Sequence, residues 1–572
     1  MSERRKFSML RTTGTHADIF AAVGLARLLS SAGAAVRIAE SQASFEVCFD
    51  NNETHAGSQF STSPGYPFLK ANDKVAVPHG AFDPVDYKAE KAKADRIKSL
   101  HQGKKLKMLD EATRQAIEQD KPRPDWRLLQ VLNTLQGDET SNRIHALITR
   151  TDAAEVRQII AEGLKAISEN RPSNLKWAAT SVQLFNPIAA KGYSRLKPDS
   201  TDRNDKTKDQ WTDPFLEWLR YQGYFGVACP FFQGSKSEHV RLFCPVPHDI
   251  SVNALIAAAA ELRAAGLYGG AAKLDSLAAL KLAEILVLHS REYHDQDSQE
   301  FEDFGLRGRT PADAISGITI THYQSLGNAK AVSAMSTIAL PGWFRLDTAE
   351  RAARFLTILS EHQTVLRTLR DDYSDEVGLL VAYRRFLQTR GESAAALLID
   401  FLSRYGAMLL GAWQEGRRLR AFRTDNLKEV LMAVAPQLSE VLVNPGFVSV
   451  AAAVRRATVN AQALKAMKRT DYRDIRYDLL PELRRKSSLP GSNPLIEAVS
   501  DFISKYNVEN ARRREMGKPA PRNVTTEEFA AFVALVEAAG APTVGAMLCA
   551  YGSCREPRDE EIAQETDVVE ES

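Results

Sequence analysis

The chain has 572 residues, of which 44% are hydrophobic and 26% are charged, with a formal net charge of +2 at pH 7. This composition is typical of folded globular proteins and excludes collagen-like and largely disordered chains. The five cysteines form no C-x-x-C pair, which argues against a disulfide scaffold and against a zinc ribbon. The apolar stretches are too short to span a membrane and no apolar signal core follows the N-terminus, so we expect a cytoplasmic protein with no membrane contact.

The first part of the chain mixes helical and strand patterns. In HADIFAAVGLARLLSSAG (16–33) apolar residues recur at helical spacing, and Gly33 stands where a C-cap is expected. Alternating apolar residues in AVRIAESQASFEVCFDN (35–51) predict two strands, and four later runs also predict strands: GYFGVACPFF, HVRLFCPVP, ISGITITHYQ and AVSAMSTIAL. We therefore predict a mixed α/β part over residues 1–346, with a subdivision near 120–210. Within it, the lysine-rich segment 85–108 predicts an exposed helix or a basic arm, because it has few large apolar residues to bury.

The second part of the chain is almost entirely helical in pattern. Thr525 or Thr526 is expected to cap the last long helical segment, with acidic residues in its first turn. We predict a helical bundle over 347–555, so that the fold class of the whole chain is α+β. Residues 556–572 contain eight acidic residues, one arginine and no aromatic residue, which predicts a disordered acidic tail.

Positive charge is concentrated in residues 455–522, where sixteen Lys or Arg residues stand against eight Asp or Glu residues. Such segregation attracts polyanions, although it also occurs on ordinary solvated helices. Guanidinium groups bind phosphates bidentately, and aromatic neighbours such as Trp413 and Phe422 can stack on bases. The predicted nucleic-acid-binding residues are Lys104, Lys105, Lys107, Arg417, Arg418, Arg420, Arg423, Lys465, Lys468, Arg469, Arg484, Arg485, Lys486, Arg512, Arg513, Arg514, Lys518 and Arg522.

Catalytic motifs are scarce. The chain contains no P-loop and no G-x-S-x-G nucleophile elbow. The best metal candidate is HSREYHDQD (289–297), which contains His289, His294, Asp295 and Asp297, because imidazole and carboxylate groups together can hold an ion that activates water. His289 and His294 are five residues apart, however, which does not place them on one face of a helix.

Two further groups have simpler interpretations than catalysis. His16 and Asp18 stand at a helix start, where Thr15 or Asp18 is expected to act as a cap. Cys549 and Cys554 are interpreted as a packed thiol and a surface thiol. We therefore expect no catalytic residue, no metal and no cofactor.

Three stretches of the chain carry a resemblance to a known family: FLEWLRYQGYFGVACPFFQGSKSEHVRLFCPVPHDIS (215–251), HYQSLGNAKAVSAMSTIALPGWF (322–344) and YNVENARRREMGKPAPRNVTTEEFAAFVALVEAAGAPTVGAMLCAYGSCREP (506–557). Together they resemble the large subunit of type I CRISPR Cascade surveillance complexes, in the form whose C-terminal helical part mimics the small subunit. The resemblance lies in the general sequence pattern of these stretches and includes no invariant motif.

The resemblance implies a non-enzymatic role in antiviral defence. The N-terminal part would recognise the protospacer-adjacent motif in duplex DNA and contact the end of the guide RNA, and the bundle would stabilise the R-loop. The implied partners are guide RNA, target DNA, the backbone and other Cascade subunits, and a helicase-nuclease recruited in trans. Motif-reading residues of the family lie on loops, and we assign this role to the polar loop residues Asn51, Asn52, Asn72 and Lys74.

Two other functions stay open at this stage. One is a metal-dependent nuclease or phosphohydrolase that uses His294 and Asp295. The other is a helical protein-interaction scaffold whose arginines pair with acidic surfaces of its partners.

Overall fold

The computed structural model describes most of the chain: residues 4–50, 67–79, 81, 83–101, 109–135, 142, 153–175, 184–185, 187, 213–233, 239–292, 306–326, 329–389, 392–417, 419–468 and 473–558. The chain divides into two compact units. Unit one consists of Met1–Tyr268, Ser298–Gly305 and Ala312–Thr337, and unit two of Gly269–Asp297, Leu306–Pro311 and Ile338–Ser572. The α+β fold class with a helical C-terminal region is confirmed.

Unit one contains the strands of the described residues. The first sheet consists, in order across the sheet, of β1 (Arg4–Leu10), β3 (Ser44–Asp50), β2 (Val36–Glu40) and β8 (Asp249–Ser251), with antiparallel neighbours. The second consists of β10 (Ala329–Ala339), β9 (Ile315–Leu326), β7 (His239–Pro247) and β6 (Cys229–Gln233). A short parallel pair joins β4 (Leu69–Lys70) to β5 (Val85–Asp86). The two strands predicted in 35–51 are confirmed, and Val36, Ile38, Phe45 and Val47 are buried. The run GYFGVACPFF is a strand only from Cys229 onward, because its first five residues belong to the helix Pro214–Val227.

Seven helices pack with these sheets in the described part of unit one: α1 (His16–Ser31), α2 (Tyr87–His101), α3 (Glu111–Gln119), α4 (Trp126–Thr134), α5 (Ala153–Ser168), α6 (Pro214–Val227) and α7 (Val252–Ala264). Thr15 caps α1 as expected, and the Asp18 carboxylate accepts backbone N–H groups of Thr13 and Gly14. Gly33 has a φ of 87°, which suits the residue after a helix. The lysine-rich segment is helical over α2, with most of its side chains exposed.

Helices α1 and α6 cross at very short range. A Cβ atom on Gly24 of α1 would collide with the carbonyl oxygen of Leu219, and one on Gly223 of α6 would collide with that of Phe20. Glycine normally destabilises a helix interior by about 0.5–1 kcal/mol relative to alanine, so its presence at both positions has to be explained by packing. The two glycines let the helix backbones touch, and this contact forms the centre of unit one.

Unit two is mainly helical in its described residues. Its helices are α8 (Ala271–Glu292), α10 (Ala349–Thr368), α11 (Ser374–Gln388), α12 (Glu392–Gln414), α13 (Thr424–Val434), α14 (Ser439–Val443), α15 (Pro445–Ala457), α16 (Val459–Ala466), α17 (Leu479–Ser487), α18 (Asn493–Glu515), α19 (Thr526–Ala539) and α20 (Ala541–Gly552). The four-residue helix α9 (Pro311–Ala314) lies at the division between the units. Thr525 caps α19 in a reciprocal capping box with Glu528, as its sequence predicted in part.

Helix α8 belongs to unit two, although it lies inside the predicted N-terminal part. The buried Lys273 ammonium donates to the carbonyl oxygen of Leu369 at 2.6 Å, which satisfies the C-terminal end of α10. Buried Asp275 accepts from Arg384 of α11 at 2.8 Å. Because these polar contacts and the apolar face of α8 are directed at later helices, the division of the chain does not coincide with the predicted boundary at 346.

One helix of the described residues, Ser393–Gln414, is long and apolar enough to cross a membrane by length and composition alone. Of its most apolar window, 61% is buried inside the protein. The core helix of a globular protein shows the same properties, so this segment is weak evidence for a membrane span.

Candidate nucleic-acid interface

The arginine-rich stretch around 417–423 folds inward. Arg417 Nη1 lies 2.8 Å from Glu376 Oε1, and the Glu376 side chain is only 2% exposed. Burial opposes ionisation of Glu376, but hydrogen bonds from Arg417 and Arg370 outweigh it and hold the pKa of the carboxyl below its usual value. Arg423 is itself buried and lies 2.6 Å from Asp425. The structure therefore gives no support to the prediction that Arg417 and Arg423 contact phosphates, because both guanidinium groups already pair with carboxylates inside unit two.

The aromatic residues of this stretch are also unavailable to bases. Phe422 is 3% exposed and packs edge-on against His362 and Tyr405. Trp413 is half-buried, and its Nε1–H donates to the carbonyl oxygen of Leu419 at 3.0 Å. Of the predicted cations here, only Arg420 is exposed in the described residues, and Arg418 lies outside them.

Glu361, on helix α10, binds the same stretch through hydrogen bonds. Its carboxylate accepts the backbone N–H of Arg423 at 2.7 Å and the side-chain amide of Asn426 at 2.9 Å. Burial raises the pKa of Glu361 to about 7, and these hydrogen bonds offset only part of that effect. The Asn426 side-chain oxygen is buried without a hydrogen-bond partner in the described residues. A half-turn of that amide would let it accept from a protonated Glu361, which is why the neutral carboxyl suits this site.

We expect Glu361→Gln to change how stability depends on pH. The folded chain holds the Glu361 proton up to a pKa of about 7, whereas the ordinary value is 4.5, so stability falls as pH rises between those limits. The neutral amide removes this loss, and the variant should be more stable than the parent at pH 8 by about 1–3 kcal/mol. Urea unfolding from pH 5 to pH 8 measures the difference. Glu350→Gln, at an exposed site on the same helix, is the matched control, and a Glu361→Gln profile parallel to the parent would contradict the expectation.

The second predicted cluster, around 465–486, is largely solvent-facing. Lys465, Lys468 and Arg485 are exposed, Lys486 is half-buried, and none of the four has an ion-pair partner in the described residues. Arg484 forms a loose pair with Asp400 at 3.3 Å, with both side chains about half exposed. Arg469 lies outside the described residues. Most of this cluster therefore remains available to a polyanion.

In the third predicted cluster, around 512–522, some side chains bond to the protein itself and others are exposed without a partner among the described residues. Arg513 Nε donates to the Pro519 carbonyl oxygen at 2.9 Å. Arg514 Nη2 donates to the Pro521 carbonyl oxygen at 3.2 Å and to the Asn523 side-chain oxygen at 3.1 Å. These bonds hold the loop after α18 against the helix. Arg522 forms an exposed ion pair of 2.6 Å with Glu528.

Two members of that cluster have no such role. Arg512 and Lys518 are exposed, and neither has a side-chain partner among the described residues. Arg512 also stands in the last turn of α18, where a cation is favoured by the helix dipole. A phosphate can therefore reach these two cations without breaking an internal bond.

Lys505 is a candidate that the cluster-based prediction missed. It is exposed without an ion-pair partner in the described residues, and it lies two helical turns before Arg512 on the same side of α18. Its spacing of seven residues from Arg512 was the signal available in the sequence. At about 1.5 Å per residue, Lys505 and Arg512 stand roughly 10 Å apart along α18.

Not every basic residue of 455–522 is exposed. Arg473 is 5% exposed, hydrogen-bonds to Asn510 and Glu509, and lies over the Tyr506 ring. Through these buried contacts it stabilises the C-terminal part of α18. The segregated charge counted in the sequence therefore overstates the charge that a ligand meets.

The candidates of unit one are only partly described. Lys104, Lys105, Lys107, Asn51 and Asn52 lie outside the described residues. Asn72 and Lys74 are both exposed, and the Asn72 side-chain oxygen accepts the Lys74 backbone N–H at 3.0 Å in a local turn. The Lys74 side chain is therefore free to contact a ligand, whereas Asn72 shapes the loop.

The other chemical candidates take structural roles where the structure describes them. His16 is buried, donates from Nε2 to the Leu184 carbonyl oxygen and accepts from Thr321, both at 2.8 Å. Burial lowers the pKa of His16 to about 4, so it is a neutral core histidine. Cys554 is 1% exposed, so the prediction of a surface thiol is wrong, and burial raises the pKa of Cys549 to about 12.

The metal candidate receives no support from the described residues. His289 lies on α8, whereas His294, Asp295 and Asp297 lie outside the described residues. Within the described ranges, no group of three or more His, Cys, Asp or Glu side chains is placed to hold a metal ion. No protein-family model matches the chain, and no curated protein shows significant similarity to it.

Proposed function

We propose that the chain is a non-catalytic large subunit of an RNA-guided DNA surveillance complex, which recognises the adjacent motif in duplex DNA, stabilises the R-loop and recruits a helicase-nuclease. Unit two would bind nucleic-acid backbone and unit one the duplex. Guide RNA, target DNA and the other Cascade subunits would be its partners. The proposal rests on the family resemblance of residues 215–251, 322–344 and 506–557 together with one structural observation.

That observation is the set of exposed cations that have no carboxylate partner among the described residues and lie on helices α16–α18 or in the segments that follow α16 and α18. They are Lys465, Lys468, Arg485, Lys505, Arg512 and Lys518. Cations on rigid helices that face water can exchange their counterions for phosphates, which gives affinity without sequence preference. The protein would then contribute backbone affinity while base pairing by the guide supplies sequence specificity.

Reconstitution of the complex tests this proposal. The chain is co-expressed with a guide RNA and with the other Cascade subunits, and binding of a duplex target is measured with and without the adjacent motif. We expect motif-dependent binding that is lost when the chain is omitted, and no strand cleavage by the chain alone. Failure of the chain to copurify with RNA or with any of these subunits would contradict the proposal and favour a protein-interaction scaffold.

A variant of the exposed loop tests motif recognition within the same complex. Lys74→Ala should relax discrimination at one base pair by about 1–3 kcal/mol if Lys74 reads a base edge. Lys121→Ala, which removes an exposed lysine that pairs with Glu118, is the control and should leave discrimination unchanged. Equal discrimination by the Lys74→Ala variant and the parent would remove Lys74 from the motif-reading residues.

A further inference from the structure

A long connection joins the two strands of the parallel pair in unit one. Strand β4 ends at Lys70 and β5 begins at Val85, so the connection consists of the 14 residues 71–84, which we call loop 71–84. Parallel strands cannot be joined by a tight turn, because the chain has to return along the whole pair. The described residues of the loop form no helix or strand, and Gly80 and Phe82 lie outside the described part. Connections of this length without secondary structure are uncommon in compact domains and usually carry a function.

The start of loop 71–84 is held only weakly. The Val85 N–H donates to the Phe68 carbonyl oxygen at 2.8 Å and closes the base of the loop. Beyond the base, the Asp73 carboxylate accepts from the Lys88 ammonium of α2 at 2.5 Å. The Asp73 and Lys88 side chains are 74% and 60% exposed, and an ion pair in water adds little to stability. This pair therefore does not order the loop on its own.

The end of loop 71–84 is held much more firmly, by Arg123 from the segment before helix α4. Arg123 Nη1 and Nη2 donate to the two Asp83 carboxylate oxygens at 2.9 and 2.6 Å, which is a bidentate pair. Nε and Nη2 donate to the Asp125 carboxylate at 3.0 and 3.1 Å, and the backbone N–H donates to Glu90 of α2 at 3.0 Å. Arg123 therefore connects the loop to two helices, α2 and α4.

Asp83 has a backbone conformation that needs such a contact. Its φ is 40°, in the left-handed region, which residues other than glycine adopt infrequently. Strained conformations of this kind persist where the surrounding structure enforces them, and they concentrate at functional sites. The bonds from Arg123 are the side-chain hydrogen bonds that the described residues show for Asp83, and they fix the chain directly before β5.

The part of the loop between these two anchors presents side chains to solvent. Lys74, Val77 and His79 are exposed, and the Lys74 ammonium has no carboxylate partner among the described residues. A side chain on a loop binds its ligand more tightly when the loop is already ordered, because less conformational entropy is lost on binding. Any contribution of Lys74 to DNA recognition therefore depends on how firmly the loop is anchored.

We propose that Arg123 is a positioning residue, which holds loop 71–84 in the conformation in which Lys74 meets the duplex. The inference rests on the proposed function for the role of Lys74, whereas the anchoring of the loop does not depend on it. Arg123 itself would not contact DNA, because its guanidinium already bonds to Asp83 and Asp125. Loss of the anchor should therefore weaken motif discrimination and leave the affinity for nucleic-acid backbone unchanged.

Amide hydrogen exchange of the full chain without DNA tests the anchor by itself. Asp83→Asn is the decisive variant, because asparagine also tolerates a positive φ, removes the charged acceptor and leaves the bonds between Arg123 and Asp125 in place. We expect exchange within loop 71–84 to become about tenfold faster. Arg123→Lys keeps the positive charge but cannot form the bidentate pair, so it should have the same effect.

Arg171→Lys is the matched control for the arginine replacement. The Arg171 side chain is 29% exposed, like that of Arg123, and it also pairs with two carboxylates of unit one. Exchange within loop 71–84 should stay at the parental rate in this variant. The double variant of Asp83→Asn and Arg123→Lys should exchange no faster than the faster single variant, because both changes remove one contact. Parental loop exchange in both single variants would overturn the proposal.

Motif discrimination in the reconstituted complex tests the consequence. The ratio of affinities for duplexes with the preferred and a changed adjacent motif should fall by about threefold or more in Asp83→Asn. The salt dependence of binding and the melting temperature should stay parental, whereas a merely structural role would change stability and leave the ratio unchanged. Full discrimination despite faster loop exchange would overturn the positioning role. A parent chain that shows no motif discrimination would instead contradict the proposed function, and the exchange rates still decide whether Arg123 anchors the loop.

Discussion

Replacement of Arg485, Arg512 and Lys518 by alanine should weaken binding of single-stranded DNA and flatten its salt dependence. Each of these side chains is exposed without a carboxylate partner in the described residues, so each can neutralise one phosphate. For three lost contacts the slope of log affinity against log salt should fall by about 2. The same counterion argument gives a loss of roughly 30- to 100-fold in affinity at 0.15 M salt. Fluorescence anisotropy across a salt series measures both quantities.

A charge-matched variant separates the effect of these three side chains from the effect of net charge. Arg114, Lys121 and Lys165 are exposed lysine or arginine residues of unit one that pair with Glu111, Glu118 and Glu169. Their replacement by alanine changes the net charge by the same amount. The salt slope should stay near the parental value, because these cations are partly neutralised already. Equal losses in the two triple variants would show that general charge, and no particular surface, attracts DNA.

Gly24→Ala and Gly223→Ala should each strongly destabilise unit one. The new methyl group would meet a backbone carbonyl of the facing helix, Leu219 in one case and Phe20 in the other. Overpacked cores usually lose about 1–3 kcal/mol, and a backbone atom cannot move aside as a side chain can, so we expect about 3 kcal/mol or more. For a unit of this size that corresponds to a fall of at least roughly 6–12 °C in melting temperature. Thermal unfolding followed by circular dichroism measures it.

Gly411→Ala is the control for glycine replacement itself. Gly411 lies inside helix α12, and a Cβ atom there would meet no atom within 4 Å. The substitution should stabilise the chain by about 0.4–1 kcal/mol, because it restricts the unfolded state. An unchanged melting temperature in both Gly24→Ala and Gly223→Ala would show that the helices do not touch through their backbones.

Local structure was the easiest part to predict. The alternation in 35–51 predicted β2 and β3 because a half-buried strand repeats its environment every second residue. Thr15 and Thr525 were recognisable as caps because capping depends on neighbours within one turn. The place of helix α8 in unit two could not be predicted in this way, since the partners of Lys273 and Asp275 lie about a hundred residues further along.

The candidate interface shows the limit of reasoning from clusters of charge. Arg417, Arg423 and Arg512 are equally basic in the sequence, yet the first two pair with Glu376 and Asp425 inside unit two while the third faces water. The carboxylate that neutralises Arg417 stands 41 residues away. The Arg417–Glu376 pair leaves no local pattern, so a cluster can reveal positive charge without revealing which part of it is accessible.

The amino-acid sequence by itself determined the fold class, most strands and helices, the caps and the excess of basic residues late in the chain. These depend on the period of apolar residues and on contacts within a few positions. Only the tertiary structure decided which cations of the described residues remain unpaired and how closely α1 and α6 approach. Those properties arise from contacts between distant segments, because burial and ion pairing depend on which side chains the folded chain brings together.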